Sequence, residues 1–276
     1  MSLFDDVLKD GQTLFKNPQV LSYDFVPKIL PYRENEQQYL ATSIKPLFRA
    51  RSGRNLFIHG KPGIGKTAAA KYVCRELNET GHNIKTVYVN CWQENTSYKV
   101  LTEICNELEY SFTHNKKTVE LIHVVADILE ETPVVFIFDE IDKVRDKDLL
   151  YHILENISLK SIFLLTNYKS WLTTLDSRIK SRLTPENVVF EAYNRDETKG
   201  ILQKRVNHAF YKDVFSQRAF AHIVGESTRL GDIRTGLFLL KESATIAEEK
   251  GRTTVTRNDV DVASQKLDEF TIKNSA

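Results

Sequence analysis

The sequence predicts an α/β fold, built around a central and mostly parallel sheet, that is followed by a smaller all-helical domain. Short apolar runs rich in β-branched and aromatic residues alternate with helical patterns up to about residue 193. Such alternation is typical of parallel strands whose connecting helices cover both faces of one sheet. Beyond residue 193 the patterns are helical. We therefore expect an N-terminal arm over residues 1–30, an α/β domain over 31–193 and a helical domain over 194–276.

The individual elements follow from hydrophobic periodicity and from the residues that interrupt it. Strands are predicted at residues 56–59, 86–90, 134–138, 161–167 and 188–190. Helices are predicted at residues 33–49, 68–78, 98–108 and 119–130 in the first block, and at 196–209, 216–227, 232–250 and 257–270 in the second. In the first helix, we expect an apolar stripe to face the core, formed by Tyr39, Leu40, Ile44 and Leu47.

Residues 60–67, with the sequence Gly-Lys-Pro-Gly-Ile-Gly-Lys-Thr, form a complete G-x-x-x-x-G-K-T phosphate loop. A strand pattern precedes them and a helical pattern follows, which is the context that the motif requires. Backbone N–H groups of such a loop approach a triphosphate, Lys66 supplies positive charge, and Thr67 supplies a hydroxyl for Mg²⁺. We expect ATP or ADP and Mg²⁺ as cofactors, with nucleotide contacts from Pro62, Gly63, Ile64, Gly65, Lys66, Thr67 and Ala68. The alternative is a glycine-rich turn that only resembles the motif.

The apolar strand pattern over residues 134–138 ends in Asp139 and Glu140. Acidic groups at the carboxyl end of a central strand lie where α/β folds bind their ligands. We predict that Asp139 holds Mg²⁺ through water and that Glu140 orients and deprotonates the attacking water. The alternative is that both carboxylates cap the start of a helix.

Three polar features lie outside these two motifs. Asn167 ends a buried strand, where its amide can bind the attacking water or the γ-phosphate; the alternative is a turn-forming asparagine. Residues 175–183 are basic and expected to be exposed, and their alternative interpretation is a solvated helix face. Arg234 falls in the first turn of a helix that Asp232 can cap, where a cation opposes the helix dipole. This position suggests an anionic partner for Arg234, and the alternative is a surface salt bridge.

The composition is that of an ordinary soluble globular protein, with 41% hydrophobic and 27% charged residues. A net charge of +1 gives no overall electrostatic footprint for nucleic acid, so any DNA contact must be local. No apolar stretch is long enough to cross a bilayer and no signal-peptide pattern is present, so we expect no membrane contact and a cytoplasmic location. The cysteines Cys74, Cys91 and Cys105 match no zinc or redox spacing, and the patterns around Cys74 and Cys105 indicate buried thiols.

The order of these motifs resembles the layout of AAA+ ATPases: phosphate loop, Asp-Glu strand, strand-end Asn, Ser-Arg stretch and Gly-Asp-x-Arg. More closely, the sequence is similar to the archaeal origin-recognition and cell-division-cycle initiators. The residues that carry this similarity are 25–34 (FVPKILPYRE), 89–96 (VNCWQENT) and 175–183 (LDSRIKSRL) through Phe190. The similarity extends over about residues 20–270. It implies an AAA+ P-loop NTPase base domain over 31–193 and an α-helical lid over 194–276.

The resemblance also implies roles for particular residues and partners. The adenine pocket is assigned to Val26, Pro27, Leu30 and Arg33. Sensor 1 is assigned to Asn167, and sensor 2, which reaches the γ-phosphate from the lid, is assigned to Arg234.

Arg182 is the preferred arginine finger, acting on the ATP of a neighbouring subunit, and Arg178 is the second choice. A finger supplied in trans makes isolated monomers slow ATPases. The family acts as a nucleotide-dependent switch, and its partners are duplex origin DNA and the replicative helicase.

The chain departs from the family's pattern near its end. Members usually continue into a C-terminal winged-helix domain that grips duplex DNA, whereas this sequence ends at Ala276, soon after the predicted lid. We expect a truncated form, with a naturally short paralogue as the alternative, and weakened DNA binding in either case. The family's DNA-contacting insertion corresponds to the region of residues 111–117, for which a plain polar loop is an equal alternative.

Three functions remain open from the sequence. The leading hypothesis is an ATP-dependent initiator of DNA replication that binds origin duplex and loads the helicase. The second is an AAA+ ATPase of another role, such as a clamp-loader-like subunit or a transposition helper, because fold and site are shared among these classes. The third is a nucleotide-holding partner module without DNA binding. The presence of Lys66, Asp139, Glu140 and Asn167 argues against this third function.

Overall fold

The computed structural model describes residues 13–273, which fall into two compact units. One unit is Arg33–Glu191, and the other combines the residues before Arg33 with those after Glu191. Residues 1–12 of the predicted arm and residues 274–276 of the predicted helical domain lie outside the described residues. The described part of the arm thus belongs to the same unit as the helical segments that follow residue 191.

The α/β unit is built on a five-stranded sheet with the strand order β2-β3-β4-β1-β5. Its strands are β1 (Leu56–His59), β2 (Lys85–Asn90), β3 (Val134–Asp139), β4 (Lys160–Thr166) and β5 (Glu186–Val189). Every pairing between neighbours in this sheet is parallel. The central strands β3 and β4 are buried almost throughout, which explains their continuous apolar sequences. This order brings the carboxyl ends of β1, β3 and β4 side by side.

One helix of this unit precedes the first strand, and the others lie between successive strands. They are α1 (Glu34–Ile44), α2 (Lys66–Glu79), α3 (Ser97–Glu107), α4 (Thr118–Ile128), α5 (Asp148–Asn156) and α6 (Ser177–Leu183). The five predicted strands are confirmed, as are the helices that correspond to α2, α3 and α4. Cys74, Cys91 and Cys105 are buried and unbridged. Burial raises the pKa of the Cys74 thiol to about 12, so this thiol stays protonated.

Three predictions for this unit were wrong in detail. The helix predicted over 33–49 ends at Ile44 and continues as a 3-10 helix, Lys45–Arg49, because Pro46 cannot donate an α-helical hydrogen bond. Tyr39, expected in the apolar stripe, is 40% exposed and donates to Glu186 over 2.6 Å. The stretch 175–183 is not exposed throughout, because Ile179 and Leu183 of α6 are buried.

The second unit is helical. It comprises the 3-10 helix Pro18–Leu21 and the helices α7 (Arg195–Ala209), α8 (Gln217–Leu230), α9 (Ile233–Glu249) and α10 (Arg257–Lys273). Val20 and Leu21 are buried in the same apolar cluster as residues of α7, α8 and α9. Arg205 of α7 donates to the carbonyl oxygen of Val20 over 2.8 Å. Within the described part of the chain, no helix is both long and apolar enough to cross a membrane.

A buried carboxylate stabilises the end of the helical unit. Asp259 is fully buried and accepts hydrogen bonds from Arg252 (2.8 Å), Lys250 (3.1 Å) and the backbone N–H of Thr256 (2.9 Å). Burial by itself raises the pKa of Asp259, but the hydrogen bonds from Arg252 and Thr256 outweigh it and hold this pKa well below its usual range. The carboxylate is therefore charged in the folded protein at all ordinary pH values.

We predict that Asp259→Asn destabilises the folded protein by about 3 kcal/mol, because it leaves two cations without their buried partner. Since the folded-state pKa of Asp259 is depressed, its contribution to stability is present above about pH 4 and is lost as the pH falls toward the folded-state pKa. Urea unfolding between pH 3 and pH 7 measures both effects. Asp261→Asn, which alters a half-exposed carboxylate on the same helix, is the control. Equal unfolding free energies for the two variants would contradict the prediction.

Candidate nucleotide-binding site

The loop between β1 and α2 adopts a conformation that requires glycine at two of its positions. Gly60 has φ +153°, and a Cβ placed there would lie 2.3 Å from the carbonyl oxygen of Phe190. Gly65 has φ +93° and immediately precedes α2. No side chain of the described residues caps the start of α2, and no acidic residue lies in its first turn. The start of this helix carries partial positive charge, which favours an anion at this place.

Lys66 is the first residue of α2, and its side chain is buried. Its Nζ donates to the carbonyl oxygens of Gly60 and Lys61 and to the Oδ1 of Asn167, each over 2.8 Å. These contacts bring together two residues predicted for the site, which are 101 positions apart in the sequence. An ammonium group held at this place, beside the uncapped helix start, is suited to bind phosphate.

Thr67 and Asp139 are in direct contact, as expected for residues that hold one metal ion. The hydroxyl of Thr67 donates to Asp139 Oδ2 over 2.6 Å. A second hydroxyl, from Tyr88 on β2, donates to the same oxygen over 3.0 Å. The backbone N–H of Glu140 donates to Asp139 Oδ1 over 3.0 Å. Both oxygens of this buried carboxylate are thereby oriented.

These donors fit Mg²⁺. Hydroxyl and carboxylate oxygens are the ligands that this ion prefers, and it is usually held by one or two carboxylates together with substrate phosphates. Among the described residues, no group of three or more His, Cys, Asp or Glu side chains is arranged to hold a metal ion. Thr67 and Asp139 therefore match a site that the phosphates of a nucleotide complete.

Glu140 adopts a backbone conformation that is uncommon for its residue type. Its φ and ψ are +53° and +44°, in the left-handed region, and a short 3-10 helix, Ile141–Lys143, follows. No side-chain hydrogen bond caps that helix, which disfavours the alternative role of Glu140 as a helix cap. Non-glycine residues in this region cost about 1–3 kcal/mol and cluster at active sites. The strain is consistent with the predicted catalytic role.

A further set of contacts joins the loops after β3 and β4. The hydroxyl of Thr166 donates to Asp142 over 2.7 Å and accepts from the backbone N–H of Tyr168 over 3.1 Å. Thr166 immediately precedes Asn167, and Asp142 lies two residues after Glu140. No sequence motif indicates this pair. Its effect is to fix the relative position of the two loops that carry Glu140 and Asn167.

Arg33, predicted for the adenine pocket, is buried and supports the phosphate loop. Its Nε and one terminal nitrogen donate to the carbonyl oxygen of Ile64 over 3.2 and 3.0 Å. The same terminal nitrogen donates to the carbonyl oxygen of Glu191 over 2.6 Å, and the other pairs with Glu36 over 2.8 Å. The structure thus gives Arg33 a supporting role that the sequence did not indicate, while a contact with adenine stays a prediction.

His59, the last residue of β1, is buried, and its Nε2 has no hydrogen-bond partner among the described residues. Burial is the main cause that lowers the pKa of His59, and the nearby cations Lys169 and Lys66 lower it further. The imidazole is therefore neutral at neutral pH. It adds no charge beside the phosphate loop.

The two candidate arginine fingers lie on α6. Arg178 pairs with Asp176 over 3.0 Å, and Arg182 pairs with Glu155. Both guanidinium groups lie near the ring of Tyr151, at 5.7 and 5.2 Å from its centre. The side chains of Arg178 and Arg182 remain 67% and 44% exposed. Each is thus accessible from solvent but already paired with a carboxylate.

Pro62, Gly63 and Ala68 belong to the phosphate loop and the start of α2, whereas Val26, Pro27, Leu30 and Arg234 belong to the helical unit. Val26, Pro27 and Leu30 are half-buried in a segment without regular structure. Arg234 lies in the first turn of α9, where its Nε and a terminal nitrogen donate to Asp232 over 3.1 and 2.8 Å. Asp232 caps the helix and supplies a negative charge to Arg234, so the position of Arg234 does not by itself indicate an anion from outside the chain.

A phosphate loop at the carboxyl edge of a parallel sheet, with Asp139, Glu140 and Asn167 at the ends of neighbouring strands and a separate helical unit, defines an AAA+ P-loop ATPase. Family models agree: one described as an AAA domain matches residues 49–170, and one described as a Cdc6 AAA+ ATPase-type lid domain matches residues 199–265. These matches confirm the predicted fold class.

The relatives identify the family. The chain is 34% identical over 286 residues to an ORC1-type DNA replication protein 1 of Archaeoglobus fulgidus, covering 97% of this chain and 69% of that protein. It is 31% identical over 287 residues to the ORC1-type DNA replication protein of Pyrococcus horikoshii, covering 97% of this chain and 68% of that protein. The solved structure of the Aeropyrum pernix ORC1 protein in complex with DNA is similar to this one, with a TM-score of 0.83 and 30% sequence identity. The match covers 92% of this chain and 70% of that chain. The chain belongs to the family of ORC1-type DNA replication proteins.

Proposed function

We propose that this protein is an ATP-dependent initiator of DNA replication that binds origin duplex, acts as an ATP/ADP switch with slow hydrolysis, and loads the replicative helicase. The observation that carries the ATP part is the contact of Lys66 with Asn167 beside that of Thr67 with Asp139. The DNA part is supported by relatives named as DNA replication proteins and by the Aeropyrum pernix ORC1 protein, which was solved with DNA.

Each residue of the site has a role that follows from its chemistry. The Lys66 ammonium binds the β- and γ-phosphates, and Asn167 contacts the γ-phosphate or the attacking water. Thr67 and Asp139 hold Mg²⁺, Asp139 through water; when bound, Mg²⁺ neutralises charge on the phosphates. Glu140 orients the attacking water and accepts its proton. The resemblance further gives adenine contacts to Val26, Pro27, Leu30 and Arg33, and γ-phosphate sensing to Arg234.

Arg182 acts on the ATP of a neighbouring subunit. We predict that Arg182→Ala leaves ATP affinity unchanged and slows hydrolysis by about 10³-fold or more, only at protein concentrations where subunits associate, since an arginine finger in trans contributes 10³–10⁵. ATP turnover measured against protein concentration tests this. Arg178→Ala is the matched variant on the same helix. An effect of Arg178→Ala in place of Arg182→Ala would show that the wrong arginine has been chosen.

The loop between α3 and α4 is the proposed DNA contact within the ATPase domain. It contains residues 111–117, including Phe112, which is 77% exposed and lies edge-on to Tyr110 at 5.9 Å. Lys116 and Lys117 follow in the same loop. An exposed aromatic ring and two lysines in one loop suit contact with the bases or sugars and the phosphates of a duplex. The overall charge of +1 restricts such binding to local contacts of this kind.

The test is binding to duplex DNA in the presence of ATP at two salt concentrations, using a candidate origin fragment and a shuffled control. We expect a preference for the origin fragment and an affinity that falls steeply as salt rises, because phosphate contacts release counterions. Replacing Lys116 and Lys117 by alanine should weaken binding to both fragments and reduce the salt dependence. Equal, salt-insensitive binding of both fragments, or no binding, would count against the initiator function for this chain.

A further inference from the structure

Tyr88 connects the edge of the sheet to the carboxylate of the nucleotide site. It lies on β2, an edge strand, and is paired with Ile137 of β3, two residues before Asp139. Its hydroxyl extends forward and donates to Asp139 Oδ2 over 3.0 Å. Thr67 donates to the same oxygen over 2.6 Å. Two hydroxyls from different elements therefore share one carboxylate oxygen.

The ring of Tyr88 is itself held in place. The Nζ of Lys71 lies 4.0 Å from the centre of the ring, within the range of a cation–π contact. Lys71 is four residues after Thr67 on α2, so the two side chains project from the same face of that helix. The contacts of Thr67, Lys71 and Tyr88 thus join α2, β2 and β3 around Asp139.

The two hydroxyls have different positions in relation to a bound nucleotide. Thr67 belongs to the phosphate loop, where its oxygen is available as a metal ligand. Tyr88 lies on a strand outside the loop, and its contact with the site runs through Asp139. A Thr67 oxygen that binds the ion through a lone pair keeps its O–H for Asp139 Oδ2, and the Tyr88 hydroxyl is a second donor that orients the same oxygen from a strand outside the loop. Such donors hydrogen-bond to a metal-binding group without contacting the metal. Removing one typically changes metal affinity or activity by 10–100-fold.

We propose that Tyr88 is a positioning residue of the magnesium site, whose hydroxyl fixes the rotation of the Asp139 carboxylate together with the hydroxyl of Thr67. The proposal rests on the function proposed above, because it requires Mg²⁺-dependent nucleotide binding. Tyr88 does not contact nucleotide in this account. Its removal is expected to change how much Mg²⁺ is required, not how well the phosphate loop binds a metal-free nucleotide.

The experiment is a Mg²⁺ titration of the binding of a fluorescent, N-methylanthraniloyl-labelled ATP, with a parallel measurement in EDTA. For Tyr88→Phe, which keeps the ring and its contact with Lys71, we expect the Mg²⁺ concentration at half-maximal binding to rise by about 10-fold or more. The affinity in EDTA should stay within about twofold of the wild type. Tyr72→Phe, which removes a tyrosine hydroxyl from α2 beside Arg75, is the matched control and should leave the Mg²⁺ midpoint unchanged.

A second variant tests the same proposal if Tyr88→Phe folds poorly. Lys71→Met retains the aliphatic stem but removes the cation over the ring, and it should shift the Mg²⁺ midpoint in the same direction by a smaller factor. An unchanged midpoint in a folded Tyr88→Phe, or a loss of thermal stability without a shift of the midpoint, would overturn the proposal. If the wild type binds the labelled ATP equally with and without Mg²⁺, the proposal is overturned as well. If the wild type does not bind it at all, the proposed ATP function is what fails.

Discussion

Lys66→Ala is expected to abolish nucleotide binding. The Lys66 ammonium lies at the start of α2, where it holds the carbonyl oxygens of Gly60 and Lys61 and the amide of Asn167. Replacing Lys66 by alanine removes the positive charge that faces the phosphates. It also removes the hydrogen bond between the phosphate loop and Asn167, the residue after β4. We expect ATP affinity to fall by at least about 100-fold, equivalent to about 2.8 kcal/mol. Isothermal titration calorimetry with ATP and Mg²⁺ measures this directly.

The matched control for Lys66→Ala is Lys61→Ala. Lys61 is an exposed lysine of the same loop, whose backbone carbonyl contacts Lys66 and is retained in the variant. Its replacement should change ATP affinity by less than about fivefold, because exposed charges contribute little. Unchanged affinity in Lys66→Ala would refute the phosphate-loop assignment. Equal losses in both variants would show that general charge, not the position of Lys66, binds the nucleotide.

The second large effect is expected from Glu140→Gln, which should retain ATP affinity and block turnover. The amide keeps the size of the side chain but cannot accept the proton of the attacking water, and general base catalysis contributes about 10²–10⁴-fold. Glutamine has the same side-chain size and branching as glutamate, so we expect residue 140 to keep its φ of +53° in the variant. Single-turnover hydrolysis and nucleotide retention after gel filtration measure the two properties.

Glu130→Gln, at an exposed glutamate just after α4, is the control for Glu140→Gln. It should leave both hydrolysis and ATP retention unchanged. Normal turnover in Glu140→Gln would mean that another group activates the water. A loss of ATP affinity together with turnover would instead give Glu140 a binding role.

The fold and the centre of the site could be predicted because their determinants are local in sequence. Alternating apolar runs define the strands, and G-x-x-x-x-G-K-T is one continuous motif. The contact of Lys66 with Asn167 spans 101 positions but follows from a general rule, since the carboxyl ends of parallel strands lie on one edge. The helix α5 was missed, although the spacing of Leu149, Leu150 and Ile153 is helical, because it is only nine residues long.

The supporting contacts could not be predicted, because they depend on register and on loops that meet only in the folded chain. Arg33 contacts Ile64 and Glu191, which are 31 and 158 positions away. Tyr88 reaches Asp139 only because β2 and β3 pair in one particular register. In the sequence, Tyr88 is one more aromatic residue in a strand pattern. Arg33 stands in the stretch 25–34 that carries the family resemblance, but nothing there indicates its contacts with Ile64 and Glu191. The motifs thus predict the residues of the proposed nucleotide site, and the structure shows which other side chains orient those residues.

The most direct test of the ATP site is a crystal structure with a non-hydrolysable ATP analogue and Mg²⁺. We expect the β- and γ-phosphates to lie against the backbone of residues 60–67. We expect Lys66 Nζ to leave the carbonyl oxygens of Gly60 and Lys61 and bind these phosphates, and the ion to lie beside Thr67 and Asp139. An analogue bound elsewhere, or a Lys66 that keeps both carbonyl contacts while the nucleotide is present, would contradict the proposed ATP site.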